Sequence, residues 1–336
     1  MYFAVIDCGT TNSRIYVLDG DFHTVAVGAK KVGVKDTVGG GTRVLRDGLS
    51  ELFLDTIRDA GLEVGYIRLA VAFGMITSEL GLMEIPHLWA PAGLEELVKS
   101  VEVVHDPEVF PPDVPVVFIR GIKNRFESDA TVHDVRRLDF LRGEESQVMG
   151  LLHLYPNLRP PFTVVVFSSH TKYIRVTGDS KIAGSLTTLS GQIYEAIVSS
   201  SAVGKSVARG SGSQFDPEIA DLAYEAVQSS GFLRAILMPR FMDVLLRQPA
   251  SANSLFLTAA IVADDMRTIS DFQLVGFDDS RDYVLLGQED RCRCFAHFIQ
   301  SRHGSRVIKQ IYHQSELDQL SITGAALIAS RAGLLD

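Results

Sequence analysis

The stretch MYFAVIDCGTTNSRIYVL, residues 1–18, decides how the rest of the chain is read. An apolar run over 2–7 ends in Asp7, a turn of small polar residues follows, and apolar character returns at 15–18. TVAVGA at 24–29 is a third short β-like run, so the chain opens with antiparallel strands. Gly9 permits the tight turn, and Thr10, Thr11 and Asn12 surround it with hydroxyl and amide groups. Such a turn can aim backbone N–H groups at phosphate oxygens. Asp7 can hold Mg²⁺ through water, and Arg14 can offer a planar fork to an anion. An ordinary hairpin turn of small residues has the same composition.

Downstream, Leu45, Leu49, Leu52, Phe53 and Ile57 recur at helical spacing, and Gly61 stops that helix. IRLAVAF (67–73) and VPVVFIR (114–120) read as buried strands on either side of a helix near 92–100. The pattern then restarts. A helix spans about 143–154, Pro156, Pro160 and Pro161 mark a break, and FTVVVF (162–167) and KYIRV (172–176) flank a second polar turn, Ser168-Ser169-His170-Thr171. A third short strand lies near 181–184. Helices at about 191–200, 217–230, 233–247 and 253–269 lead to a strand at 283–287, a helix at 290–302, a strand at 306–311 and a last helix at about 321–332. Each half therefore opens with a β-hairpin around a Ser/Thr/Gly-rich turn. GSGS at 210–213 is a small connector at most.

Bulk composition bounds the function. The 336 residues suffice for two domains, with 46% hydrophobic and 22% charged residues. A net charge of -9 argues against nucleic acid or an anionic membrane surface as the main partner. Asp7 interrupts the N-terminal apolar run, which excludes a signal peptide, and no uncharged stretch reaches membrane-helix length. Cys8, Cys292 and Cys294 read as reduced thiols of a cytoplasmic protein. AVGKSV (202–207) has the Gly-Lys-Ser of a P-loop but lacks its first glycine and a preceding strand, so it is set aside. KDTVGGGT (35–42) reads as a flexible loop at the edge of a cleft.

Asp-x-Gly-Thr-Thr-Asn-x-Arg at 7–14 resembles the phosphate hairpin of the actin, Hsp70 and sugar kinase superfold. LRGEESQ (141–147), SSHTKYI (168–174), AFGMITSELG (72–81) and SLTTLSGQIYEAI (185–197) resemble, in order, stretches of the 2-dehydro-3-deoxygalactonokinase family. The resemblance implies an α/β chain of two actin-like ATPase (ribonuclease H-like) domains, residues 1–148 and 149–336, with the last helix returning to the first. It implies MgATP as cofactor and transfer to the 6-hydroxyl of 2-dehydro-3-deoxy-D-galactonate. Glu144 is then the base or metal-holding acid, although Glu144 and Glu145 also suit simple capping of a helix start. Arg142 would clamp a carboxylate or phosphate, and Lys172 would neutralise charge on the transferred group. Ser168, Ser169, His170 and Thr171 would face the phosphates from the second lobe. Gly74, Met75, Ser78, Glu145 and Gln147 would face the sugar, and Gly287 the adenosine.

Three positions depart from the family pattern. Ser168 replaces a glycine, Gln192 replaces a glutamate, and Gln288-Glu289-Asp290 stand where small residues are expected. They open two alternatives, a catalytically weakened nucleotide-binding regulator of the same fold and a kinase for a different small sugar. A homodimer stays open.

Overall fold

The computed structural model describes residues 2–208, 215–277 and 281–335. The GSGS connector lies outside the described residues. The first lobe is built on strands β1 (Tyr2–Cys8), β2 (Ser13–Leu18), β3 (Thr24–Lys30) and β4 (Ile67–Gly74). Three two- or three-residue strands follow, β5 (Leu88–Trp89), β6 (Glu102–Val104) and β7 (Val116–Phe118), and then β8 (Ile122–Lys123) and β9 (Phe140–Leu141). The second lobe carries β10 (Phe162–Phe167), β11 (Thr171–Val176), β12 (Ile182–Thr188), β13 (Asp282–Gly287) and β14 (Arg306–Ile311).

The two large sheets repeat one order. The first runs β3-β2-β1-β4-β7-β6 and the second β12-β11-β10-β13-β14. In both, three antiparallel strands are followed by parallel ones, β4 and β7 beyond β1, and β13 and β14 beyond β10. β6 extends the first sheet as an antiparallel edge, and β5-β8-β9 form a small separate sheet.

Alternation sorts each central strand between two cores. Ala4, Ile6 and Cys8 of β1 face the helix Thr42–Asp59, whose Leu45, Leu49, Leu52, Phe53 and Ile57 are buried. Phe3 and Val5 face the opposite way, into a core that also receives Val164 and Val166 of β10. That shared core is filled by the helices Glu144–Leu154 and Gln314–Arg331. Their crossing is tight because glycines sit at the contact. A methyl group at Gly150 would lie 1.9 Å from the Leu320 carbonyl oxygen, and one at Gly324 would lie 1.8 Å from that of Ser146. The expected division at 148/149 falls inside the first of these helices. Val165 and Phe167 point into a third core with the helices Ala250–Asp265 and Glu289–His303.

Several expectations need correction. The strand expected over 114–120 is shorter, Val116–Phe118, although Pro115 O and Ile119 N still bond to β4. The helix expected over 233–247 is two short ones, Phe232–Ala235 and Met238–Val244, because Pro239 lacks the N–H that a continuous helix would use. The last helix begins at Gln314, seven residues early, since its first turns pack beside the first lobe despite their polar sequence. Residues 35–42 are no loose edge: Lys35 N donates to Thr10 O at 3.0 Å and Val34 N to Gly9 O at 3.3 Å, seating a short helix, Thr37–Gly40, behind the first hairpin turn. Gly204 of the decoy P-loop is packed against Val198, where a methyl group would meet its carbonyl oxygen at 1.9 Å.

Candidate active site

Both hairpin turns open onto one cleft of about 570 Å³. On the first side β1 delivers Asp7, opposite Arg14 on β2 and Phe73 on β4. The turn closes when Gly9 N donates to Asn12 O at 2.9 Å, and Ser13 Oγ donates to Val32 O at 2.8 Å. At the end of β4, Gly74 adopts φ 85°, and a methyl group there would meet Cys8 O at 2.7 Å. Only glycine fits that contact.

Gly143, with φ 104°, lets the chain turn from β9 into the helix Glu144–Leu154 within touching distance of Gly74. The helix start is thereby held beside Asp7. Glu145 is fully buried, and both its carboxylate oxygens accept from Gly143 N at 2.8 Å. Burial, with the charge of Glu144 beside it, pushes its carboxyl up to about 8. Glu144 is the one that lines the cleft, with Oε2 accepting from Arg142 N at 3.2 Å. Arg142 also borders the cleft, but its fork is committed to the protein. Nη1 donates to Thr77 Oγ1 at 2.5 Å and Nη2 to Ile85 O at 2.8 Å.

The second side is the turn Ser168–His170, where Ser168 N donates to His170 O at 2.9 Å and Ser169 O accepts from Gln192 N at 2.8 Å. Lys172 projects from β11 across the cleft, and its Nζ donates to Phe140 O at 3.1 Å and Thr187 Oγ1 at 3.3 Å. Asp7 and Lys172 therefore line the same crevice. Burial raises the Asp7 carboxyl to about 6; Arg14 pulls it down, while Asp318 and Glu144 push it up. Burial first, and then the nearby Lys172, lower the His170 imidazole.

The cleft gathers Asp7, Gly9, Thr10, Gly74, Met75 and Gln147 with Arg142 and Glu144 from the first lobe, and Ser168, Ser169, His170 and Lys172 from the second. Other expected site residues do not border it. Thr11 and Asn12 lie beyond the bend, and Arg14 faces Asp318 at 3.9 Å. Ser78 is buried, with its Oγ turned to Met75 O at 2.7 Å. Thr171 is also fully buried, bonded to Asp265 and Ser190 beneath the hairpin rather than facing the cleft. Gly287 ends β13 behind Phe167, with φ 114° and no room for a side chain.

Asp139, Phe140 and Thr187 border the cleft and went unnoticed in the sequence. Asp139 Oδ1 accepts from Phe140 N at 2.7 Å and Thr187 Oγ1 at 3.0 Å, while Oδ2 is buried without a hydrogen-bond partner. Burial raises its carboxyl, against the pull of Lys172. The only available signal was an acid four residues ahead of Gly143 in a segment with weak strand character.

A family model described as 2-keto-3-deoxy-galactonokinase matches residues 7–320, which span both hairpins and the acid-bearing helix. The chain belongs to that family. A Rhizobium meliloti (strain 1021) protein named "Probable 2-dehydro-3-deoxygalactonokinase DgoK1" is 24% identical over 197 residues, 58% of this chain. The match spans 56% of that relative's length. Among solved structures, a Sinorhizobium meliloti protein assigned as a 2-dehydro-3-deoxygalactonokinase superposes with a TM-score of 0.73 at 16% identity, over 97% of this chain and 95% of the other. The (R)-2-hydroxyglutaryl-CoA dehydratase component A of Acidaminococcus fermentans follows at 0.51 and 13%, covering 99% of both chains. The activator of the 2-hydroxyisocaproyl-CoA dehydratase from Clostridium difficile, with bound ADPNP, reaches 0.50 at 10%, over 98% of this chain and 96% of the other. These likenesses establish the actin-like ATPase fold. No helix among the described residues is long and apolar enough to cross a membrane.

Two departures from the family pattern look different in three dimensions. Ser168 is not among the residues with positive φ, so it occupies the family's glycine position without backbone strain. Glu289 is paired with Arg293 one turn along its helix, which occupies its carboxylate with a local cation. Gln192 has an exposed side chain, and its backbone N–H supports the second turn.

Proposed function

We propose that this family member transfers the γ-phosphoryl group of ATP to the terminal hydroxyl of 2-dehydro-3-deoxy-D-galactonate. The observation that carries the reading is the placing of Asp7, Glu144 and Lys172 around one crevice between two hairpin turns. In-line transfer depends on alignment and on neutralising the transferred group. The N–H groups of Thr10 and of Ser169 and His170, outside the Gly9 and Ser168 bonds that close the two turns, suit the phosphate tail. Glu144 takes the proton of the acceptor hydroxyl as its oxygen bonds to the γ-phosphorus and the bond to the β-phosphate oxygen breaks. Lys172 lies on the side where charge develops.

Burial, Asp318 and Glu144 all hold back the ionisation of Asp7 against the pull of Arg14, so further positive charge in the cleft would favour its carboxylate, which suits a hard divalent cation. Asp7 would hold Mg²⁺ through water. When bound, the ion supplies neutralisation of the β- and γ-phosphate oxygens. Gly74, Met75 and Gln147 line the first-lobe wall that we assign to the sugar acid, with Gly287 on the adenosine side. Glu145 and Arg142 act by fixing the helix start and the β9 bend rather than by touching substrate. The three buried free thiols, Cys8, Cys292 and Cys294, accord with a reducing cytoplasm, where ATP is available.

The test is a coupled ADP-release assay with 2-dehydro-3-deoxygalactonate and a panel of related aldonates. Turnover that favours the 2-keto-3-deoxy acid is expected. ATP binding without turnover on any of them would overturn the proposal.

A further inference from the structure

Beneath the second hairpin lies a buried polar cluster that the chemistry above does not use. Arg291 and Asp265 are 3% and 5% exposed, and Nη2 of the arginine is 3.5 Å from Oδ2 of the aspartate. They reach the hairpin from two different elements, the first turn of the helix Glu289–His303 and the last residue of the helix Ala250–Asp265. Arg291 Nη1 donates to Ser168 O at 2.8 Å. Its Nη2 donates to Thr171 Oγ1 and, at 2.5 Å, to Ser190 Oγ. Asp265 Oδ2 accepts from Thr171 Oγ1 at 2.7 Å, its Oδ1 accepts from Thr188 Oγ1, and its backbone carbonyl accepts from Tyr173 OH at 3.0 Å. The Arg291 guanidinium also lies 5.1 Å from the centre of the Phe167 ring.

The protons fit in one consistent way. Thr171 has a single hydroxyl proton, which goes to Asp265, so its oxygen can only accept from Arg291. Ser190 Oγ, 2.6 Å from Thr171 Oγ1, must therefore be the donor in that contact. The cluster thus ties both ends of the turn, Ser168 and Thr171, to one arginine. A buried ion pair is a weak source of net stability, because the desolvation of both charges offsets their attraction. What it supplies is geometry, since the guanidinium fork fixes two directions at once.

We propose that the Arg291–Asp265 pair is a positioning device for phosphoryl transfer. It sets the height of the Ser168–His170 turn and the starting point of Lys172, the residue after Thr171. It also links that turn to the end of β13 at Gly287, four residues before Arg291, so these two segments of the second lobe keep one spacing. This rests on the kinase reading above.

Three variants test it by melting temperature, amide hydrogen exchange and steady-state kinetics. The double variant Asp265→Asn with Arg291→Gln removes both charges together, Arg291→Lys keeps the charge but not the fork, and Thr171→Val cuts the link at Thr171 while leaving the pair and its bond to Ser168 O in place. The expected result is local. Exchange at 168–172 quickens by about tenfold or more, and kcat falls by about a hundredfold while KM for the sugar acid stays within about threefold. Thr171→Val gives this result even if the double variant does not fold. Parental exchange and kcat in these variants would overturn the proposal. So would an activity loss that only tracks the folded fraction, with exchange rising evenly along the chain. A parent protein without turnover would remove the kinase reading alone, because the exchange measurement still decides whether Arg291 and Asp265 hold the turn.

Discussion

Lys172 Nζ lies 3.1 Å from the carbonyl oxygen of Phe140, so a cation rooted in the second sheet is bonded to the strand that leads into Arg142, Gly143 and Glu144. The contact bridges the two walls of the cleft. Removing the charge while keeping the length, as in Lys172→Met, should lower kcat by about 10²–10³-fold, as for loss of one donor to a developing oxyanion. Steady-state kinetics at saturating ATP would check it; a change in KM alone would mean that Lys172 contributes only binding.

Glu144 and Glu145 should separate cleanly. Glu144→Gln is expected to cost about 10²–10⁴-fold in kcat, the range for loss of a general base. Its melting temperature should stay near that of the parent, since the side chain borders the cleft rather than a core. Kinetics and thermal melting on the same sample decide it.

Glu145 should instead appear in the pH dependence of stability. Its folded carboxyl sits near 8 against an ordinary 4.5. Between those values the folded state holds a proton that the unfolded chain has released. Its contribution is therefore fully present below about 4.5 and is lost as pH rises towards 8. Glu145→Gln should flatten the fall in stability over that window, most visibly around its midpoint. Urea melts across the series would show it; parallel curves for the two proteins would refute it.

The crossing of Glu144–Leu154 over Gln314–Arg331 predicts a backbone-limited contact. Gly324→Ala places a methyl group 1.8 Å from the Ser146 carbonyl, which must shift. A loss of about 1–3 kcal/mol follows from overpacking of this kind, measurable as a lower urea midpoint.

Ser168→Gly should bring no gain. The serine carries no positive φ to relieve. Added freedom in the unfolded chain should cost about 0.4–1 kcal/mol, and kcat should not rise. An increase in activity would show that the serine had been constraining the turn.

The sequence alone determined the two-lobed α/β fold and the larger part of each wall of the cleft. Asp7, Gly9 and Thr10, and later Ser168 to Lys172, are contiguous runs in which strand periodicity breaks into a polar turn, and local chemistry writes such breaks directly. Glu144 was legible for the same reason, because acids directly after a glycine mark a helix start. Which of two adjacent acids faces the cleft was decided only by packing, which turns Glu145 onto the Gly143 amide and leaves Glu144 at the surface of the crevice. Thr171 looked like its hydroxyl neighbours until pleating sent it inward to Asp265 and Arg291, residues 94 and 120 positions away. Asp139 and Phe140 reached the site through pairing of a two-residue strand too short to register as a pattern. Contacts made across such distances depend on how sheets and helices stack, and one-dimensional periodicity carries no record of that.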